Sequence, residues 1–137
     1  MKKLVGMLAA FAVLFGLTGC GAKTLKCTME DDGTKMTQTF TLDKDDKVTK
    51  VTMEMVAEAD NEDDAKEAEE YYKESTKNNS VTGVTYSVKR SGKKLTLTGT
   101  ADLSKIDADD LETYIGTTKN SKDEIKKVFE AEGYKCN

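Results

Sequence analysis

Apolar side chains recur at every second position through much of this chain, and that alternation predicts strands. Leu25, Cys27 and Met29 alternate with Lys26, Thr28 and Glu30. Asp31-Asp32-Gly33 follows, and Asp-Gly between alternating runs is a strong hairpin signal. Met36, Phe40 and Leu42 then share one face, against Thr37, Thr39 and Thr41 on the other. After the turn Asp43-Lys44-Asp45-Asp46, a third row holds Val51, Met53 and Met55, with Thr52 and Glu54 outside. Short connections between such segments predict an antiparallel meander with one covered face.

The period then changes. Residues 60–77 are rich in Glu, Ala and Lys, with Ala65, Ala68 and Tyr72 at helical spacing and Tyr71 flanking them. Asp60 or Asn61 is placed to cap this helix, and Glu62, Asp63 and Asp64 suit its positive end. Its apolar stripe is thin, which predicts a loosely seated helix. Val84, Tyr86 and Val88, then Leu95, Leu97 and Gly99, resume alternation around Ser91-Gly92 and predict a second hairpin. Two short helices follow. Asp107 is the expected cap of the first, with Ile106 and Leu111 as a hydrophobic staple and Gly116 as the stop. Ser121-Lys122-Asp123-Glu124 reads as a capping box before Ile125, Val128 and Phe129, with Gly133 ending the helix. The fold class expected is α+β: an antiparallel sheet of about five strands (three-stranded meander, helix, hairpin), covered on one face by helices, with two short C-terminal helices.

The N-terminus changes the picture. Lys2 and Lys3 precede an uncharged apolar run over residues 4–17. At 1.5 Å per residue that run reaches about 21 Å, short of the roughly 30 Å hydrocarbon core. It therefore reads as a signal-peptide core and not as a permanent span. The run closes in Leu17-Thr18-Gly19-Cys20, which resembles the lipobox of bacterial lipoproteins. That resemblance implies a diacylglyceryl group on the Cys20 sulfur and cleavage just before it. Residues 1–19 would be removed, leaving residues 20–137 as one lipid-anchored extracytoplasmic domain at the cell membrane. Two acyl chains hold where one gives only marginal binding.

Composition narrows the chemistry. The net charge is −4, and losing Lys2 and Lys3 makes the remainder more acidic. Nothing in that balance attracts nucleic acid. The chain has no His, Trp or Pro. The lack of histidine excludes Ser-His-Asp and Cys-His catalysis and His-ligated zinc. With Cys20 assigned to lipid, Cys27 and Cys136 remain as an even pair in an exported protein, which predicts a disulfide; two free thiols are the alternative. Closing a loop of about 110 residues corresponds to roughly 4–5 kcal/mol in the chain-entropy picture.

Several groups are candidate sites, each with a plainer reading. Thr37, Thr39, Thr41, Thr96, Thr98 and Thr100 fall on polar strand faces and would form a flat hydroxyl surface if the hairpins are neighbours. Threonine is also simply a good strand former. Tyr71 and Tyr72 lie about 100° apart on a helix, so one can be buried while the other faces solvent as a recognition element. Asp43, Asp45 and Glu54 match three calcium-loop positions, but Lys47 and Val48 occupy positions that need a ligand and a glycine, so the motif is rejected. The acidic run 60–64 is read as a solvated helix start, with a looser calcium site as the alternative. Glu54, Asp102 and Glu112 are carboxylates that no spacing singles out.

The lipobox, the strand carrying Cys27, the acidic helix, and the ending Lys122-Asp123-Glu124-Ile125 to Glu132-Gly133-Tyr134-Lys135-Cys136 together resemble the YehR-like family of small bacterial lipoproteins, a domain of unknown function. The resemblance implies a membrane-anchored α+β domain and supplies no catalytic residues. The expected function is a non-catalytic binding module at the cell surface, needing no cofactor or metal, that recruits an envelope protein or polymer. An envelope hydrolase or enzyme accessory working through carboxylates, or a structural or stress-related envelope protein, is the alternative.

Overall fold

The computed structural model describes residues 23–137, so the expected signal segment, residues 1–19, and Cys20 lie outside the described residues. The chain runs β1 (Lys23–Asp31), β2 (Thr34–Leu42), β3 (Val48–Glu58), α1 (Glu62–Asn78), β4 (Val84–Ser91), β5 (Lys94–Asp102), two 3-10 turns, α2 (Leu111–Ile115), α3 (Lys122–Ala131) and β6 (Lys135–Cys136). The strands form one six-stranded sheet in the order β4-β5-β3-β2-β1-β6. Every pairing is antiparallel.

The expected meander and hairpin are both present, and β5 joins them by pairing with β3. The sixth strand was not expected. It is two residues long and carries no alternation to read. Asp32 and Gly33 both have positive φ, as a two-residue hairpin turn of type I′ requires. In the second turn the Asp43 carboxylate accepts hydrogen bonds from the Asp45 and Lys47 amides, at 2.8 and 3.0 Å. Those bonds, Lys47 first, hold Asp43 below the usual carboxylate range.

Facing residues in the registers share a side of the sheet, and this defines two faces. The inner face carries the row Leu25, Phe40, Val51 and Ala101, all buried. Ile115 of α2 and Ile125 and Phe129 of α3 complete this core. Phe129 meets Phe40 edge-on at 5.1 Å between ring centroids and Tyr134 at 5.1 Å. Burying one such side chain contributes about 1.5–3 kcal/mol. Helix α1 covers the other end of the same face, with Ala68 and Tyr72 over Met55, Val88, Leu95 and Leu97. All the long helices therefore lie on one side.

The caps differ in detail from expectation. Asn61 rather than Asp60 caps α1, its side chain accepting from the Asp64 amide at 2.9 Å. Asp107 makes no side-chain cap bond. It opens a 3-10 turn, closed by Asp110 N–H to Asp107 C=O at 2.9 Å, and the helix starts only at Leu111. Ser121 accepts from the Glu124 amide at 3.4 Å, but the Ser121 amide donates to Lys119 C=O, so only half of the capping box forms. Gly116 ends α2 with φ 72°.

Cys27 and Cys136 lie directly opposite each other on β1 and β6 at disulfide distance, with Cα atoms 4.1 Å apart. The neighbouring pair Lys26 and Asn137 exchanges both backbone hydrogen bonds. The cysteines thus occupy the non-hydrogen-bonded position, where opposed side chains come closest. No helix among the described residues is long and apolar enough to cross a membrane.

Candidate functional site

The outer face of the sheet is covered by no described element. The registers place four threonines side by side across four strands: Thr39, Thr52, Thr100 and Thr85. At about 4.8 Å per strand this row spans roughly 14 Å. The next row reads Thr28, Thr37, Glu54, Thr98 and Ser87. Thr41 lies beyond one end, in line with Lys50 and Asp102. Thr96 lies beyond the other, between Val56 and Lys89.

All six threonines singled out in the sequence are thus on one face. The two triplets do not abut, because β3 lies between them. β3 fills the gap with Thr52 and Glu54. Thr28, Thr52, Thr85 and Ser87 were missed, although the same period-two reading of β1, β3 and β4 would have found them. Lysines and acids frame the face: Lys26 and Lys50 near one end, Glu30, Lys35 and Lys89 near the other.

The tyrosine pair does not join this surface. Tyr71 is 66% exposed and Tyr72 is half-buried, their rings edge-to-face at 5.5 Å. Both belong to α1, on the opposite side of the sheet. Tyr72 lines an apolar cavity of about 190 Å³ beneath that helix. The expected recognition residues therefore divide between two surfaces.

Between α1 and the C-terminal helices the inner face is open along the row Gln38, Met53, Gly99 and Tyr86. A notch of about 120 Å³ here is lined by Gln38, Met53, Gly99 and Tyr114 among others. A β-carbon on Gly99 would come within 3.2 Å of the Tyr86 ring. Burial, then Tyr86 and Asp110, push the Tyr114 phenol above its ordinary range. Gln38 interrupts the apolar row of β2, a signal the sequence reading passed over.

The carboxylates Glu54 and Asp102 do not come together. Glu54 faces Thr98 on the outer surface, four register positions from Asp102. Asp102 accepts from the Ser104 hydroxyl at 2.6 Å and the Ser104 amide at 3.1 Å, which, with Lys105, hold it below the usual carboxylate range. Glu112 is exposed on α2. Among the described residues no three His, Cys, Asp or Glu are grouped to hold a metal.

These features define a class: an α+β domain built on one open antiparallel sheet, helices on one face and a hydroxyl-rich surface on the other. More particularly, the fold is YehR-like. The NMR structure of the E. coli YehR protein matches with a TM-score of 0.66 at 21% identity, over 87% of this chain and 93% of that one. At that identity the likeness is one of fold. No family model and no curated protein matches the chain.

Proposed function

We propose that this chain is a lipid-anchored, non-catalytic binding module of the bacterial envelope and a member of the YehR-like lipoproteins. Residues 1–19 serve as its export signal, and Cys20 carries the diacylglyceryl anchor. Since β1 begins at Lys23, the tether can extend only about 10 Å from Cys20. The domain then works close to the bilayer.

The observation that supports the binding reading best is the uncovered hydroxyl face. Hydroxyls donate and accept, so an array of them, with Glu54 among them and other charges at its ends, suits a polar, hydroxylated envelope polymer. Cosedimentation of the purified domain with isolated cell wall tests this. Thr39→Val, Thr52→Val and Thr100→Val together keep the β-branch and remove the hydroxyls. Unchanged binding by this triple variant, or no binding by the parent protein, overturns the reading. Mass spectrometry of the mature N-terminus tests the anchor: an unmodified Cys20 thiol overturns it.

A further inference from the structure

We infer that the half-exposed methionines of the inner sheet face form a thioether site for a soft monovalent metal ion, Cu(I) or its analogue Ag(I). Every methionine among the described residues lies there, at positions 29, 36, 53 and 55. Met29 is directly opposed to Met36, and Met36 to Met55, so three thioethers stand in one row across three adjacent strands. Met53 stands in the neighbouring row. Opposed residues have β-carbons about 5 Å apart, and the unbranched methionine side chain turns freely enough for the sulfurs to converge.

Methionine often fills core gaps, but these side chains are not in the closed core. The buried row uses Leu25, Phe40, Val51 and Ala101, and all four methionines remain half-buried. Two sulfurs are also located by one turn. Tyr134 Oη donates to Met36 Sδ at 3.7 Å, and a β-carbon at Gly133 would lie 4.0 Å from Met29 Sδ. Met55 borders the cavity beneath α1, which leaves an approach from solvent.

Donor chemistry selects the ion. Thioethers are soft, neutral ligands that favour Cu(I) over harder divalent ions. The chain has no histidine, and Cys27 and Cys136 are at disulfide distance. The thioethers are therefore the soft donors that remain among the described residues.

Silver titration of the protein tests this, with Cys20→Ala so that no free thiol competes and no reductant to open the cystine. One Ag(I) should bind per chain with micromolar or tighter affinity, and the methyl resonances of Met29, Met36 and Met55 should shift. Met36→Leu conserves volume, the kind of swap cores tolerate best. It should weaken binding tenfold or more, and Met55→Leu should do the same if Met36→Leu perturbs the fold. Absence of a one-to-one complex, a smaller loss in the leucine variants, or equal uptake of Zn(II) overturns the proposal. The triple threonine-to-valine variant should bind silver unchanged, which separates this site from the wall-binding reading.

Discussion

The Asn120 carboxamide holds both backbone groups of Val48, accepting from its amide at 2.7 Å and donating to its carbonyl at 3.1 Å. The two residues are 72 positions apart. β5 pairs with β3 only from Lys50 onward, so Val48 lies past its last strand partner on that side. Asn120 takes the place of the missing strand. Val48 is 3% exposed, so its backbone groups are shielded from water in the folded chain. Asn120→Ala should therefore cost about 1–3 kcal/mol, the penalty of a buried group left unpaired. Urea unfolding should show a lower midpoint with an unchanged m-value. Asn120→Asp keeps an acceptor but sets a second one against the Val48 carbonyl, and should be no more stable than the alanine variant.

Glu69 on α1 joins Lys73 at 2.6 Å and Arg90 of β4 at 2.8 Å. Arg90 is the chain's only arginine and ties the thinly packed helix to the sheet edge. The Lys73 hydrogen bond, then that of Arg90, holds Glu69 below the usual carboxylate range. A depressed folded-state pKa means the contribution is fully present above the unfolded value, about 4.3, and is lost as pH falls through the folded value. Asp43 and Asp102 act in the same direction. Thermal midpoints should be flat from pH 7 to about pH 5 and fall below about pH 4.5. Glu69→Gln should flatten part of the acid limb and leave the neutral region's slope unchanged. An equally steep acid limb in that variant would remove Glu69 from the account.

Alternation made the five long strands legible, because a half-buried sheet forces a period of two on its side chains. It could not reveal the order in which they pair. The position of β3 between the threonine triplets, and the row Met29-Met36-Met55, exist only once register is known. β6 is too short to carry a pattern, and Asn120 acts across 72 positions through a loop side chain that no local signal marks. The Asp107 cap failed for a local reason: a 3-10 turn intervenes before the helix starts.

Gly83 is a position where glycine is required twice over. Its φ is +84°, and a β-carbon there would lie 2.8 Å from Lys105 Cβ and 3.2 Å from the Asp102 carbonyl. Its own carbonyl accepts the Asp102 amide at 2.8 Å, so the backbone cannot swing away without losing that bond. Gly83→Ala should destabilise by about 1–3 kcal/mol from the left-handed backbone alone, with the contact adding to it. Gly33 also has positive φ, but no atom lies within 4 Å of its added β-carbon. Gly33→Ala should thus be the milder of the two in the same denaturation assay.

Joining Cys27 to Cys136 would close a loop with a sequence separation of 109. The chain-entropy account assigns such a loop about 4–5 kcal/mol, and native disulfides removed from small exported domains cost about 2–5 kcal/mol. Cys27 is fully buried beside Leu25, whereas Cys136 is only partly so. The double variant Cys27→Ala, Cys136→Ala should lose about 2–5 kcal/mol in urea unfolding. Its m-value should rise, because a denatured chain freed of the crosslink exposes more surface. Cys27→Ser should be less stable than Cys27→Ala, since it places a hydroxyl in the apolar core. Non-reducing mass spectrometry of the parent protein supplies the companion measurement. The oxidised mass should be two hydrogens below the reduced one, and two thiols free to alkylation would refute the bond.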